Sequence, residues 1–176
     1  MYTEQKSLNN QAMALVADTT FESTLAVAQP YELIKPTLQL GSTGQAVKEL
    51  EQLLFHWGYY SGLIDGIFGI QVQSAVKSYQ HRVFLLEDGV VGSITWQALY
   101  SGAPVNMPIL MSGSSGNPVK VLQNVLKLNG YYFGSVDGFF GTMTKVAVIQ
   151  FQTNKGLSPD GIVGFKTWHA LSKLPH

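Results

Sequence analysis

The chain contains no cysteine among its 176 residues. Disulfides, thiolate metal sites and thiol nucleophiles are therefore excluded together. Charge is also scarce, at 12% of residues against 45% hydrophobic. That composition is globular and too apolar for a disordered chain, and it leaves Ser, Asn, Gln, Gly and Tyr to cover much of the surface. The formal net charge is zero, so the total points to neither nucleic acid nor an anionic membrane. No apolar run approaches the ~20 residues that a bilayer span needs. The N-terminus offers one basic residue, Lys6, and a short apolar patch, Ala12–Ala17. A secretory signal wants a basic start and an apolar stretch of ~7–15 residues, so no clear signal peptide is read and the export route stays open.

Patterns that carry catalysis are equally sparse. The four histidines, His56, His81, His169 and His176, form no His-x-x-x-His or His-x-x-Glu pair, which argues against a zinc hydrolase. The Asp-Gly loops lack the alternating oxygen side chains of a calcium loop. There is no phosphate-binding Gly-x-x-x-x-Gly-Lys-Ser/Thr loop and no Gly-x-Ser-x-Gly elbow. Asp65 and Asp88 could be counted as a glycosidase pair, but an Asp followed by Gly in a repeated phrase is better explained as a turn. The expectation is no cofactor, no metal, no catalytic residue and no enzymatic role.

What the chain does have is a duplication. Gly41–Leu99 aligns without a gap on Gly113–Leu171, at an offset of 72 residues, with nearly half the positions identical. The repeat is thus the folding unit. Within it a phrase Asp-Gly-x-Φ-Gly, Φ being apolar, occurs twice per copy, beginning at Asp65, Asp88, Asp137 and Asp160. Asp-Gly is a turn signal, because Gly accepts positive φ and Asp bonds nearby backbone N–H groups. The Φ residues, Phe68, Val91, Phe140 and Val163, can then point inward as the chain enters a helix.

Each copy reads as three helices joined by glycine turns. Ser42-Thr43-Gly44-Gln45 and Ser114-Ser115-Gly116-Asn117 look like capping boxes with Ser at the cap. Val47, Leu50, Leu54 and Trp57 follow at helical spacing, as do Val119, Leu122, Val125 and Leu126. Gly58 and Gly130 would close these helices as left-handed caps. Val72, Ala75, Val76 and Tyr79 mark the second helix, and Trp96 and Leu99 the third. The resulting division is a tail or docking segment over 1–37, a first module over 38–102, and a linker with a second module over 103–176. In the tail, Leu8, Ala12, Leu15 and Val16 suggest a short helix. Pro36-x-Leu38, at the same offset from Pro108-x-Leu110, hints that the tail is the worn end of a lost repeat. Residues 41–102 carry three positive and five negative side chains, whereas 103–176 carry six Lys and two Asp. The second module is therefore expected to meet an anionic ligand better.

These phrases resemble a known family. Leu-Gly-Ser-x-Gly-x-x-Val-x-x-Leu (40–50), Gly-Tyr-Tyr-x-Gly-x-x-Asp-Gly-x-Phe-Gly (58–69) and Asp-Gly-Val-Val-Gly-x-x-Thr-Trp-x-Ala-Leu (88–99) are similar to the bacterial peptidoglycan-binding domain 1 family. The second copy is closer, keeping Thr144, Phe151-Gln152 and Lys155-Gly156-Leu157 where the first has Val72, Tyr79-Gln80 and Val83-Phe84-Leu85. The resemblance implies an all-α chain of two small three-helix modules that tether proteins to peptidoglycan without catalysis. Its ligand would be glycan or stem peptide, in the cell envelope, with a protein assembly or a separate cell-wall enzyme as further partners. Ligand contact is expected at Tyr59, Tyr60, Asp65 and Phe68, and at Tyr131, Tyr132, Asp137 and Phe140. The alternative reading is a structural adaptor of an envelope-associated or phage-tail-like assembly, docked through the N-terminal segment.

Overall fold

The computed structural model describes residues 35–176. The short helix expected in the N-terminal segment, and any docking role for it, lie outside the described residues. Six helices follow one another: α1 (Gln45–His56), α2 (Ile70–Arg82), α3 (Ser93–Ser101), α4 (Asn117–Leu128), α5 (Thr142–Asn154) and α6 (Phe165–Leu171). Extended structure among the described residues is limited to four isolated antiparallel bridges: Leu38 with Val91, Thr43 with Ile67, Leu110 with Val163, and Ser115 with Phe139. The last two repeat the first two at the 72-residue offset. The fold is all-α, as expected, in two tandem modules.

In each module the first helix packs on the second, through a face set by its apolar spacing. Val47, Leu50 and Leu54 of α1 meet Val72, Val76 and Tyr79 of α2, with Trp96 and Leu99 of α3 closing the cluster. The second module builds its cluster from Val119, Leu122 and Leu126 of α4, Val148 and Phe151 of α5, and Trp168 and Leu171 of α6. All of these side chains are buried, and each contributes about 1.5–3 kcal/mol relative to exposure. The four inward Φ residues lie in the same cores.

The helix ends obey local chemistry. After α1, Gly58 adopts φ +78; its N–H bonds Phe55 O and the Tyr59 N–H bonds Leu54 O. This is a Schellman cap, and Gly130 and Tyr131 repeat it after α4. The capping boxes do not form. The N-caps of α1 and α4 are Gly44 and Gly116, at φ 109 and 105, without a side-chain cap bond. The Ser42 and Ser114 hydroxyls instead accept the backbone N–H of Gln39 and Met111. The N-cap falls on the positive-φ glycine, two residues after each Ser, and no side chain caps the helix.

The Pro36-x-Leu38 phrase belongs to the first module and not to a lost repeat. The Trp96 indole N–H donates to Pro36 O at 3.0 Å and Leu38 pairs with Val91. Trp168 donates to Pro108 O at 2.8 Å and Leu110 pairs with Val163 in the same way. Each module therefore starts several residues before its first helix.

The modules are also joined by side chains. Phe84 leaves the first module to pack into the core of the second, its ring 5.5 Å from that of Trp168 and 4.5 Å from that of His176. The repeat has Gly156 at this position, at φ +67; Phe84 holds φ +58, a left-handed conformation that bulky side chains avoid.

Candidate functional site

Each Asp-Gly turn is an Asx turn with a clamp behind it. Asp137 Oδ1 accepts the Phe139 N–H at 2.9 Å, and Asp160 Oδ1 accepts that of Ile162 at 2.8 Å. These N–H groups hold both carboxyls below the usual Asp range, with a carboxamide donor adding to the effect. The donors are Gln123 and Gln152. Gln152 Nε2 donates to Asp160 Oδ1 (2.8 Å), Ile162 O (2.9 Å) and Thr167 Oγ1 (3.2 Å), while its Oε1 accepts the Gly161 N–H (2.9 Å). Gln80 repeats the pattern on Asp88, Val90 O, Thr95 and Gly89. Gln123 does so on Asp137, Phe139 O, Thr144 and Gly138, and also reaches the Tyr132 hydroxyl.

The fourth clamp is Glu51, whose Oε2 accepts the Gly66 N–H. Burial, foremost, raises its carboxyl above the ordinary value, and its Oε1 has no partner. The residue-by-residue reading missed all four clamps. Gln80 and Gln152 are identical across the repeat, and that identity was the available signal.

The Tyr-Tyr loops stand beside these turns. The Tyr60 hydroxyl donates to Leu63 O at 2.9 Å and that of Tyr132 to Ser135 O at 2.8 Å. Gly62 and Gly134 lie directly under these rings, where a Cβ would stand 2.5 Å from the hydroxyl oxygen. That close approach explains the Gly-Tyr-Tyr-x-Gly spacing. Tyr59 and Tyr131 turn the other way, edge-on to Tyr79 and Phe151 at 5.5 and 5.3 Å, and both are partly buried against the cores.

The expected site residues therefore separate. Phe68 and Phe140 are 1% and 0% exposed and present no face to a ligand, because the turn that precedes them drives the ring into the core. Tyr132 is buried at 5%, Tyr60 is half-buried, and Asp65 and Asp137 are exposed but engaged in their turns. Tyr59 and Tyr131 are partly buried, as Tyr60 is, and each stands beside a groove.

The two grooves lie on equivalent helix faces. Beside Tyr131, a cavity of about 250 Å³ is lined by Tyr132, Phe133, Met143, Val146 and their neighbours on α5. Phe133 is 81% and Met143 59% exposed, so the groove has an open apolar rim. The equivalent residues of the first module are Ser61, Gln71 and Ser74. There, beside Tyr59, Ser74 and Ser78, a cleft of about 710 Å³ runs along α2, and its far wall is residues 172–176 of the second module. Neither groove gathers a metal-ligand set: among the described residues no three His, Asp or Glu side chains converge.

Each unit is a small helical module with paired Asx-turn helix entries and a tyrosine-flanked groove; no helix among the described residues is long and apolar enough to cross a membrane. Residues 43–99 and 115–171 both match the family described as "Putative peptidoglycan binding domain". The chain belongs to this family, in two tandem copies. It is similar to the N-acetylmuramoyl-L-alanine amidase CwlM of Mycobacterium tuberculosis, 36% identical over 60% of this chain and 27% of that protein. The N-acetylmuramoyl-L-alanine amidase CwlL of Bacillus licheniformis is 28% identical over 89% of this chain and 51% of that protein. A spore cortex-lytic enzyme of Bacillus cereus is 46% identical over 37% of this chain and 25% of that protein. The chain thus spans between about a quarter and a half of the length of these relatives. They correct the expectation of no enzymatic role. Two are named as amidases, one of them matched over most of this chain.

Proposed function

We propose that the chain holds bacterial peptidoglycan at two points, through one groove on each module, and so resides at the cell wall. The observation that carries this reading is the pairing of a peptidoglycan-binding family match on both repeats with an accessible tyrosine-flanked groove on each. The first module is taken as 38–102, with Pro36 bonded to it just before that limit, and the linker with the second module as 103–176. Tyr59 and Tyr131 supply the rings on which a sugar or peptide lies. Tyr60, Tyr132, Asp65 and Asp137 hold the loops that present them, with Phe133 and Met143 as added contacts in the second module.

Two weak sites on a repetitive polymer gain by effective concentration, since the second binds a ligand already tethered. Relatives named as amidases and cortex-lytic enzymes support a reading in which such attachment serves wall hydrolysis. Sedimentation of the full chain with insoluble peptidoglycan tests the binding: cosedimentation is expected, with Tyr59→Ala and Tyr131→Ala each weakening it and the pair abolishing it. Protein that stays in the supernatant at all wall concentrations refutes the reading. Turbidity of a wall suspension, followed with the same protein, reports whether the chain itself hydrolyses the polymer.

A further inference from the structure

The two grooves occupy equivalent helix faces but differ in chemistry. The one on α5 is rimmed by Phe133, Met143 and Val146 and belongs to one module. The one on α2 is lined by hydroxyls and cations, and the second module supplies one of its walls. Lys77 and Arg82 come from α2, and Lys173 comes from the segment after α6. Glu87, the one carboxylate side chain in the lining, is taken up by His81 Nδ1 at 2.7 Å. Arg82 donates from Nη2 to Gly102 O and lies over the faces of Trp57 and Tyr79, with its Nη1 buried and unpartnered. Lys77 and Lys173 are exposed, and neither has a salt-bridge partner among the described residues.

We propose that the inter-module cleft is a composite site for a carboxylate-bearing peptide, with Lys77 and Lys173 as its cationic walls and Tyr59 with Ser74 and Ser78 as its hydrogen-bonding floor. It rests on the wall-binding reading and names the ligand class of the first-module site as stem peptide. A cleft of about 710 Å³ falls in the range that encloses a small ligand, enough for a few residues. Free ammonium groups facing one space favour carboxylates by charge-assisted hydrogen bonds.

The cleft exists only while the modules stay joined, and the joint is built for that. Phe84 replaces the repeat's glycine at a left-handed position and sets its ring against Trp168 and His176. His81 Nε2 meets His176 O at 2.6 Å, and His176 Nε2 meets His81 O at 2.9 Å. Asn129 Nδ2 donates to Pro175 O at 2.9 Å. These contacts fix residues 174–176, and with them the segment that carries Lys173. The excess of lysine in the second module thus serves, in part, the groove of the first.

Calorimetric titration of the full chain with soluble disaccharide-peptide fragments tests the assignment, using free carboxylates, amidated carboxylates and peptide-free glycan as three ligands. Free carboxylates are expected to bind about tenfold more tightly than their amides, a charge-assisted contact's worth. Lys77→Ala and Lys173→Ala, both exposed changes, remove that preference. Phe84→Gly removes it too, although it touches neither lysine. Equal affinity for free and amidated peptide, or a folded Lys173→Ala chain that keeps the preference, overturns the proposal. So does tighter binding of a glycerol-phosphate polymer than of the peptide. Cosedimentation with insoluble wall that persists without carboxylate preference refutes only the cleft, whereas loss of cosedimentation by the unaltered chain refutes wall binding itself.

Discussion

Glu51 Oε2 accepts the Gly66 N–H at 2.9 Å, in the place where Gln123 Oε1 accepts the Gly138 N–H at the same distance. The geometry is preserved but the donor half of the clamp is gone. A carboxylate cannot donate to Asp65 or to Ile67 O, and burial raises its pKa. Glu51→Gln is expected to stabilise the first module by about 1 kcal/mol, the net value of a regained hydrogen bond. The sign with pH follows. A carboxyl whose folded pKa is raised contributes most when protonated, and that contribution is lost as pH rises through the folded value. The variant's advantage therefore appears above that value and vanishes in acid. Urea unfolding of both proteins at acidic and neutral pH checks it; a pH-independent difference contradicts the argument.

The complete clamps should be costly to break. Gln152→Ala leaves the Gly161 N–H without its partner inside the fold and Ile162 O with only the long Thr167 hydroxyl contact at 3.4 Å. A loss of about 2–3 kcal/mol is expected. Gln152→Glu should cost less at low pH, where a protonated carboxyl still donates once, and more at neutral pH, where it faces Asp160. Denaturant melts of the two variants across pH separate a hydrogen-bond role from simple packing.

The clamps also mark where sequence reasoning stopped. Helices and cores were legible because period and burial coincide: Val47, Leu50 and Leu54 lie three and four residues apart and all face inward. The turns were legible because Asp-Gly has a local mechanism. Gln80 and Gln152 act eight residues ahead of their Asp, and Gln123 acts fourteen ahead, across a helix end that no local rule spans. Ser42 and Ser114 misled for the opposite reason, since a local capping rule fits them while Gly44 and Gly116 turn the chain elsewhere. At the candidate site, Phe68 and Phe140 looked like contact residues through adjacency alone. Phe133, Met143 and Lys173 drew no notice, because exposure and an inter-module wall are tertiary facts. Phe84 for Gly was visible as a difference between the copies, but its packing against Trp168 is a tertiary fact.

The open rim of the second groove separates affinity from stability. Phe133 is 81% exposed, and its counterpart is Ser61. Phe133→Ser is expected to change unfolding free energy by less than about 0.5 kcal/mol. It should weaken cosedimentation with insoluble wall by about three- to tenfold, roughly 1 kcal/mol of lost aromatic contact. The reverse exchange, Ser61→Phe, should leave stability alike and raise binding. Retained affinity in a folded Phe133→Ser chain would remove the apolar rim from the site.

The joint between modules should loosen as pH rises. His81 faces acceptors through both ring nitrogens, Glu87 Oε1 at 2.7 Å and His176 O at 2.6 Å. A neutral imidazole has one N–H and can satisfy only one of them. The Glu87 hydrogen bond, then the His176 carbonyl, raise the His81 pKa above 6.5 against a smaller opposing effect of burial. Lys77, Arg82 and the stacked His176 ring line the same cleft. A His whose pKa is raised in the joined state contributes fully below its ordinary value and loses that contribution as pH rises through the raised one. Because His81 is about half exposed, at 48% of its side chain, the effect is bounded at about 1 kcal/mol. Small-angle scattering and amide relaxation of the full chain should report a more compact, jointly tumbling pair at mildly acidic pH than at mildly alkaline pH. His81→Phe keeps a ring to stack on His176 but has no N–H to lose, so its tumbling should respond to pH clearly less than that of the unaltered chain, the His176 ring still facing Leu174 O and the residue 81 backbone oxygen. A His81→Phe chain that loosens as much as the unaltered chain between these conditions places the titrating group elsewhere.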